Sequence, residues 1–385
     1  MGGKRFHILT VFGTRPEAIK LAPVVHELLG HKKQFRVSVC ITAQHRHLLD
    51  QVIQWFRIPV HHDLNVMRPH QELCGLSARI LERFHVVLAE LRPDMILVQG
   101  DTTTSMMASL AAFYHRVPVG HVEAGLRTLD RFAPFPEEIN RRLTSHLADY
   151  HFAPTKWARA NLLKEGIPSK RVLVTGNTVI DAFLETHARV LRHPPAIAQL
   201  KGLDLDSGKL IVVTAHRRES FGRGITAICA ALKRLALERE DVRIVYPVHP
   251  NPNVQGPVRK ALEGIDRIHL IDPLEYPQFV WLLSKAYLAL TDSGGIQEEM
   301  PSLGRPVLVM REKTERPEGV QAGVCKLVGT SSESIVSAVT HLLDDRRAYR
   351  RFGRRRNPFG DGTAAKKIVE SIPRILARIH RPPGM

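Results

Sequence analysis

Short apolar, β-branched runs alternate with longer stretches of helical period along nearly the whole chain. FHILTVF (6–12) and FRVSVCIT (35–42) open the series, followed by runs at 94–99, 117–122, 150–153 and 171–175. A second series occupies 210–215, 243–248, 268–272, 287–292, 306–310 and 325–329. Segments of helical length lie between them, among them Pro16–Leu29, Ile225–Leu237 and Ser334–Leu343. Near-continuous apolar strands separated by helices predict parallel sheets covered on both faces. A polar, proline-containing stretch near 185–208 parts the two series, so the fold class predicted is α/β with two doubly wound domains. A last amphipathic stretch, 364–379, predicts a helix that fits either domain and that Pro373 should bend.

The bulk numbers agree with this picture. At 385 residues and 44% hydrophobic content the chain is long enough for two cores. No apolar run approaches the ~18 residues of a membrane span, and Phe6–Phe12 is too short and interrupted for a signal peptide. Cys40, Cys74, Cys229 and Cys325 are scattered without CxxC spacing, which fits reduced thiols and a cytoplasmic location.

Charge changes the picture more. The balance of 55 Lys and Arg against 38 Asp and Glu gives +17, and RRAYRRFGRRR (346–356) alone holds seven arginines on one predicted helix and its exit. A nucleic-acid or anionic-lipid binder would show such a charge. No nucleic-acid motif accompanies it and aromatics are 6% of the chain, so a basic surface on an enzyme for anionic substrates is the reading preferred. HRH (45–47) and HH (61–62) lack third and fourth ligands at metal-site spacing, so no metal is expected.

Ligands of open α/β sheets bind beyond the carboxyl ends of the strands. After the first run comes GTRPEAIK, where Thr14 and Glu17 fit a capping box, Arg15 is left in the loop, and Lys20 lies about a turn on. Later runs deliver Asp101, Glu123, His216, His249 and the Ser293-Gly294-Gly295 turn, with Glu137 in a proline-flanked loop. Taken singly, each has a plainer reading. Asp101 reads equally as a cap for a helix starting near Ser105, Glu123 as a structural partner of Arg127, and the histidines as structural groups. Together, six or seven ionisable groups on one edge of two sheets predict a cleft between the domains, basic on one wall and acidic on the other.

LTDSGGIQEE (290–299) raises a question of its own, because Glu298 and Glu299 follow a glycine turn suited to phosphate. A nucleoside diphosphate resolves it. Glu299 accepts hydrogen bonds from the ribose hydroxyls, Ser293–Gly295 hold phosphate oxygens, and Arg316 balances the diphosphate charge. No G-x-G-x-x-G follows any strand, so no nicotinamide cofactor is expected.

The motifs VFGTRPEAIK, TAQHR, GDTTT, PVGHVEAGLRT, PEEINR, GNTVIDA, HRRESFGRG, YPVHPNPNV, LTDSGGIQEE, ERPEGV and NPFGDG run in register from about residue 8 to residue 370. Together they resemble the bacterial non-hydrolysing UDP-N-acetylglucosamine 2-epimerases. The resemblance implies a glycosyltransferase-B-like fold with an interdomain active site. It divides the chain into 1–182, completed by the C-terminal helix 366–385, and 183–365, which binds UDP. It implies cytoplasmic homodimers that interconvert UDP-N-acetylglucosamine and UDP-N-acetylmannosamine for surface polysaccharides, without NAD or metal. The family's UDP contacts fall on Arg15, Lys20, His216, Phe279, Ser293, Gly294, Gly295, Glu299 and Arg316, and its candidate catalytic acids on Asp101, Glu123 and Glu137. A second UDP-N-acetylglucosamine, bound as allosteric activator, would meet Gln44, His45, Glu137, Arg217 and His249. Two further activator positions carry His47 and His70 where some members have Gln and Arg.

The alternatives left open are a hydrolysing 2-epimerase that releases N-acetylmannosamine, a 2-epimerase for a modified UDP-acetamido sugar, and a glycosyltransferase of the same fold. A basic protein of nucleic-acid or membrane surfaces is the alternative from another class, and it would lose affinity steeply with salt.

Overall fold

A computed structural model of the chain describes residues 5–43, 46–68 and 72–379, the side chain of residue 47 excepted. By contact density these fall into two compact units: one from the described residues within Met1–Ala182 and Gly360–Met385, the other Phe183–Phe359.

The first unit holds seven parallel strands: β1 (Phe6–Phe12), β2 (Phe35–Ile41), β3 (His62–Asp63), β4 (Met95–Gln99), β5 (Val119–Val122), β6 (Tyr150–Ala153) and β7 (Val172–Val174). Their order is β3-β2-β1-β4-β5-β6-β7. The second holds β8 (Lys209–Thr214), β9 (Val242–Pro247), β10 (Ile268–Ile271), β11 (Leu288–Thr291), β12 (Val307–Val309) and β13 (Cys325–Leu327), ordered β10-β9-β8-β11-β12-β13. In each sheet the order reverses beside the first strand of the unit, the switch point at which such sheets open a ligand crevice. Both units are therefore doubly wound and parallel, as the alternating pattern predicts.

One strand has no counterpart in the hydrophobic pattern. β3 is two polar residues at the sheet edge, held by pairing of His62 and Asp63 with Cys40 and Ile41. With a single neighbour and no apolar run, it leaves no signature of burial.

The sheets are buried where the apolar runs lie. Ile8, Leu9, Val11 and Phe12 of β1 and Ile96, Leu97 and Val98 of β4 are fully buried, as are Ile211 and Val213 of β8. Two histidines share the first core. Burial pushes His121 down to about 4 and His151 to about 3, so both are neutral at physiological pH.

The final helix, Ala364–Ile379, belongs to the first unit and packs on the helix Arg15–Gly30. Asp181 accepts hydrogen bonds from the backbone N–H groups of Ala364 (3.2 Å) and Ala365 (2.9 Å) at its start. Ile368, Val369, Ile372, Ile375 and Leu376 are all buried.

Candidate functional site

In the first unit the ends of β1, β4 and β5 are tied together through carboxylates. Arg15, read as a loop residue, is instead the first residue of the helix Arg15–Gly30, with Thr14 as its N-cap and Pro16 in its first turn. Glu17 is buried and accepts from the backbone N–H of Gly13 (3.1 Å) and Thr14 (2.9 Å) and from the Thr14 hydroxyl (2.8 Å). Its other oxygen takes the hydroxyls of Thr102 (2.7 Å) and Ser105 (3.2 Å), fastening the loop after β4 to the loop after β1.

Asp101 lies in that fastened loop. It is not the helix cap: Thr102 caps the helix Thr103–Tyr114 by accepting from the N–H of Ser105 at 3.1 Å. The Asp101 carboxylate instead pairs with Arg141, while its backbone carbonyl takes a hydrogen bond from Asn140 (3.0 Å). Both partners come from the helix Glu137–Leu147.

Glu123 follows β5 directly and holds a left-handed backbone, φ 62°. A non-glycine residue in that region costs on the order of 1–3 kcal/mol and persists where its surroundings impose it, which is common at functional sites. Lys20 bonds both carboxylate oxygens, at 2.6 and 2.7 Å, and Asn177 and Gln99 donate side-chain amides. The expected pairing with Arg127 does not form, because that guanidinium is spent on Glu165 (2.6 Å) and Ser145 (3.0 Å). Three elements are thus spent on orienting one carboxylate.

Glu137 opens a helix instead of occupying a loop. Its Oε2 is buried and has no hydrogen-bond partner among the described residues. An orphaned buried carboxylate oxygen calls for an explanation, and a proton or ligand it receives in function is one. Asp101 and Glu123 follow the neighbouring strands β4 and β5, and Asp101 pairs with Arg141 of the helix that Glu137 opens.

The second unit organises its loops around Asp292, which the sequence reading passed over. Asp292 is fully buried at the end of β11, and its Oδ2 accepts from the backbone N–H of His216 (2.7 Å) and Arg217 (2.8 Å). His216 Nδ1 lies 3.6 Å from the other oxygen. The His216 ring stacks on His249 at 5.3 Å, so both predicted histidines share one place. Burial lowers the His216 pKa, assisted by His249 and opposed by Asp292.

The Ser293-Gly294-Gly295 segment begins a six-residue helix, Gly294–Glu299, with Ser293 as its N-cap. A side chain at Gly294 would meet the Arg316 guanidinium at 2.7 Å, so the glycine lets that cation lie on the helix start. Glu298 holds it there, its Oε1 2.8 Å from Arg316 Nε, and Glu315 takes Nη1 at 2.7 Å. Glu299 is also buried and accepts from the Tyr276 hydroxyl at 3.4 Å. Phe279 is half-buried on the helix Tyr276–Lys285. The two carboxylates therefore differ in what they do: Glu298 positions a cation, and Glu299 stands a residue further along.

Two similarities name the family. The UDP-N-acetylglucosamine 2-epimerase family model matches residues 27–373. The UDP-N-acetylglucosamine 2-epimerase of Yersinia pestis is 57% identical over 368 residues, covering 95% of this chain and 98% of that protein. The chain belongs to the UDP-N-acetylglucosamine 2-epimerase family. Among solved structures, the Neisseria meningitidis 2-epimerase bound to UDP-GlcNAc is similar with a TM-score of 0.89 and 48% identity, covering 96% of this chain and all (100%) of that one. A Staphylococcus aureus MnaA complex with UDP gives a TM-score of 0.86 at 45% identity, covering 98% and 99%.

Most of the polar side chains described above stand in the family motifs or directly beside them. Gln99, Asn177, Arg141, Glu298 and Asp292 are contacts that sequence reasoning missed. All five stand inside or directly beside those motifs, and the signal available was that position alone. Of the activator positions, Arg217 lies 3.8 Å from Glu315, and His249 accepts from the Asn251 N–H at 3.1 Å. Gln44, His45 and His70 lie outside the described residues, as does the side chain of His47. No described helix is long and apolar enough to cross a membrane. No group of three or more potential metal ligands occurs among the described residues.

Proposed function

We propose that this protein epimerises UDP-N-acetylglucosamine and UDP-N-acetylmannosamine at C2, without hydrolysis, in the cytoplasm. The observation that carries the reading is the cation on the glycine helix start, Arg316 over Gly294, beside the partly exposed His216 whose backbone N–H the buried Asp292 holds: a mount suited to a departing diphosphate. The relatives bound to UDP and UDP-GlcNAc support it.

The C2 hydrogen of the sugar is not acidic, since no carbonyl adjoins it. Cleavage of the C1–O bond sends its electron pair to the UDP oxygen and builds cationic character at C1. That acidifies C2–H, and a carboxylate takes the proton, leaving 2-acetamidoglucal and UDP. Returning a proton to the opposite face while UDP re-adds at C1 gives the epimer. No electrons are exchanged with a cofactor.

Roles divide mainly by unit in this proposal, Arg15 being the exception. Arg316, His216 and the Ser293–Gly295 segment stabilise the diphosphate, with Phe279 and Glu299 on the nucleoside and Arg15 assisting at the phosphates. Asp101, Glu123 and Glu137 are the acid/base pool, in which Lys20 fixes Glu123 and the orphaned Glu137 oxygen has room for a proton. Turnover of UDP-N-acetylglucosamine in deuterated water is the test. Product and recovered substrate should carry deuterium at C2, whereas unlabelled product would eliminate the glycal route and free N-acetylmannosamine would show hydrolysis.

We extend the proposal to an activator role for a second UDP-N-acetylglucosamine. Under it, UDP-N-acetylmannosamine offered alone should be consumed only after a lag that traces of the gluco sugar abolish; immediate full-rate consumption argues against the site. A homodimer is the assembly proposed. Val86, on the helix Leu73–Leu91, and Phe113 and Tyr114, at the end of the packed helix Thr103–Tyr114, are 60, 60 and 66% exposed, a patch that suits a partner copy. Phe113→Glu should shift sedimentation from dimer to monomer, and a parent protein that sediments as a monomer removes the idea.

A further inference from the structure

The arginine-rich segment is not used by the epimerase chemistry, and its surroundings give it a different character from a merely solvated charge run. Arg346, Arg347, Arg350, Arg351, Arg354, Arg355 and Arg356 are all exposed. None forms an ion pair among the described residues. The two nearest acids are already engaged: Asp344 with Arg239 (2.8 Å), and Asp345 with the backbone N–H groups of Arg347 (2.8 Å) and Ala348 (3.0 Å) as helix cap. The helix Arg346–Gly353 turns Ala348 into the core and leaves its cations outside.

Beside this helix opens a cavity of about 430 Å³. Val320, Leu342 and Phe352 contribute apolar wall, while Lys326, Arg351 and Arg355 bring cations to it. Arg355 is held in place: it donates to the Ala322 carbonyl at 2.7 Å, and Gly323 is the residue that admits it, since a Cβ there would sit 1.9 Å from its Nη1. Apolar lining with a cationic edge matches a ligand that is anionic at one end and hydrocarbon at the other. The rest of the arginine face presents the same sign of charge around it.

We propose that this face docks on an anionic phospholipid surface, with the cavity receiving one phosphate headgroup at Lys326, Arg351 and Arg355 and the start of its chain against Val320, Leu342 and Phe352. Clusters of four to eight basic residues on a helix bind acidic lipid in this way. A bilayer fits better than nucleic acid because the helix offers no exposed aromatic ring on which a base would stack: Tyr349 and Phe352 are both half-buried. The contact is peripheral and adds to the epimerase reading without depending on it.

Co-sedimentation of the full chain with vesicles tests this. Protein should pellet with phosphatidylcholine vesicles that contain phosphatidylglycerol and remain soluble with phosphatidylcholine alone, and added salt should release it. The double variant Arg351→Glu/Arg355→Glu should lower partitioning at least about tenfold. Ala338→Leu, which fills the cavity without changing charge, should lower it several-fold. Thermal melting and epimerase turnover near the parent's would show both variants folded. Equal pelleting with both vesicle types, or retention unaffected by the arginine variant, overturns the proposal. So does binding to a short DNA duplex in the absence of vesicle binding. Retention unaffected by Ala338→Leu overturns the cavity as headgroup site.

Discussion

Asp101→Asn is expected to lower turnover by about 100-fold or more while UDP still binds with near-parental affinity. The side chain keeps its size and can still meet Arg141, so the loop held by Glu17 through Thr102 and Ser105 should stay in place. What is lost, under the proposed roles, is a group that accepts or returns a proton at C2. Steady-state rates with UDP-N-acetylglucosamine, read beside calorimetric titration with UDP, separate the two effects. Parental turnover would reduce Asp101 to the structural partner of Arg141 and leave the proton transfers to Glu123 and Glu137. A fall in UDP affinity as large as the fall in rate would mean the loop had moved.

Glu298→Ala should have the largest effect on stability. Glu298 is almost wholly buried, with side-chain exposure of 2% against 13% for Arg316, and their contact is 2.8 Å. Removing one member of such a pair strands the other charge where water cannot fully solvate it, a loss of about 3–5 kcal/mol when the pair is deeply buried. Arg316 retains some exposure and keeps Glu315, so the lower end of that range is expected. Urea denaturation gives the number. UDP affinity should fall as well, because the guanidinium is no longer pinned over Gly294. A variant as stable as the parent would show that Glu315 alone anchors Arg316.

Much of the fold was legible because burial writes itself into sequence. β1, β4 and β8 have neighbours on both sides, so they are apolar over most of their length and their runs stand out, with His7, Thr10 and Gln99 the buried polar exceptions. β3 escaped notice because an edge strand of two polar residues is placed by backbone pairing with Cys40 and Ile41 and by the Arg46–Asp63 ion pair, neither of which leaves an apolar run. The candidate acids were legible as charges at strand ends, but their partners were not. Which cation meets Glu123 depends on where the helix Arg15–Gly30 lies against β5, a separation of 103 residues in sequence. Arg127, four residues away, was the local guess, and tertiary packing sends it to Glu165. Glu298 shows the same limit, since nothing in QEE tells that one glutamate turns inward to grip Arg316 while its neighbour meets Tyr276.

The last helix carries a consequence for synthesis. Ala364–Ile379 supplies seven buried apolar side chains to the unit whose strands are made first, and Asp181 waits to close its amino end. On the ribosome the first 182 residues therefore emerge before the helix that packs on them exists. The middle unit, contiguous from Phe183 to Phe359, has all its strands before the piece that completes its predecessor exists. Order of translation and order of completion are thus reversed, and the nascent amino-terminal unit is the one that stands to need a chaperone.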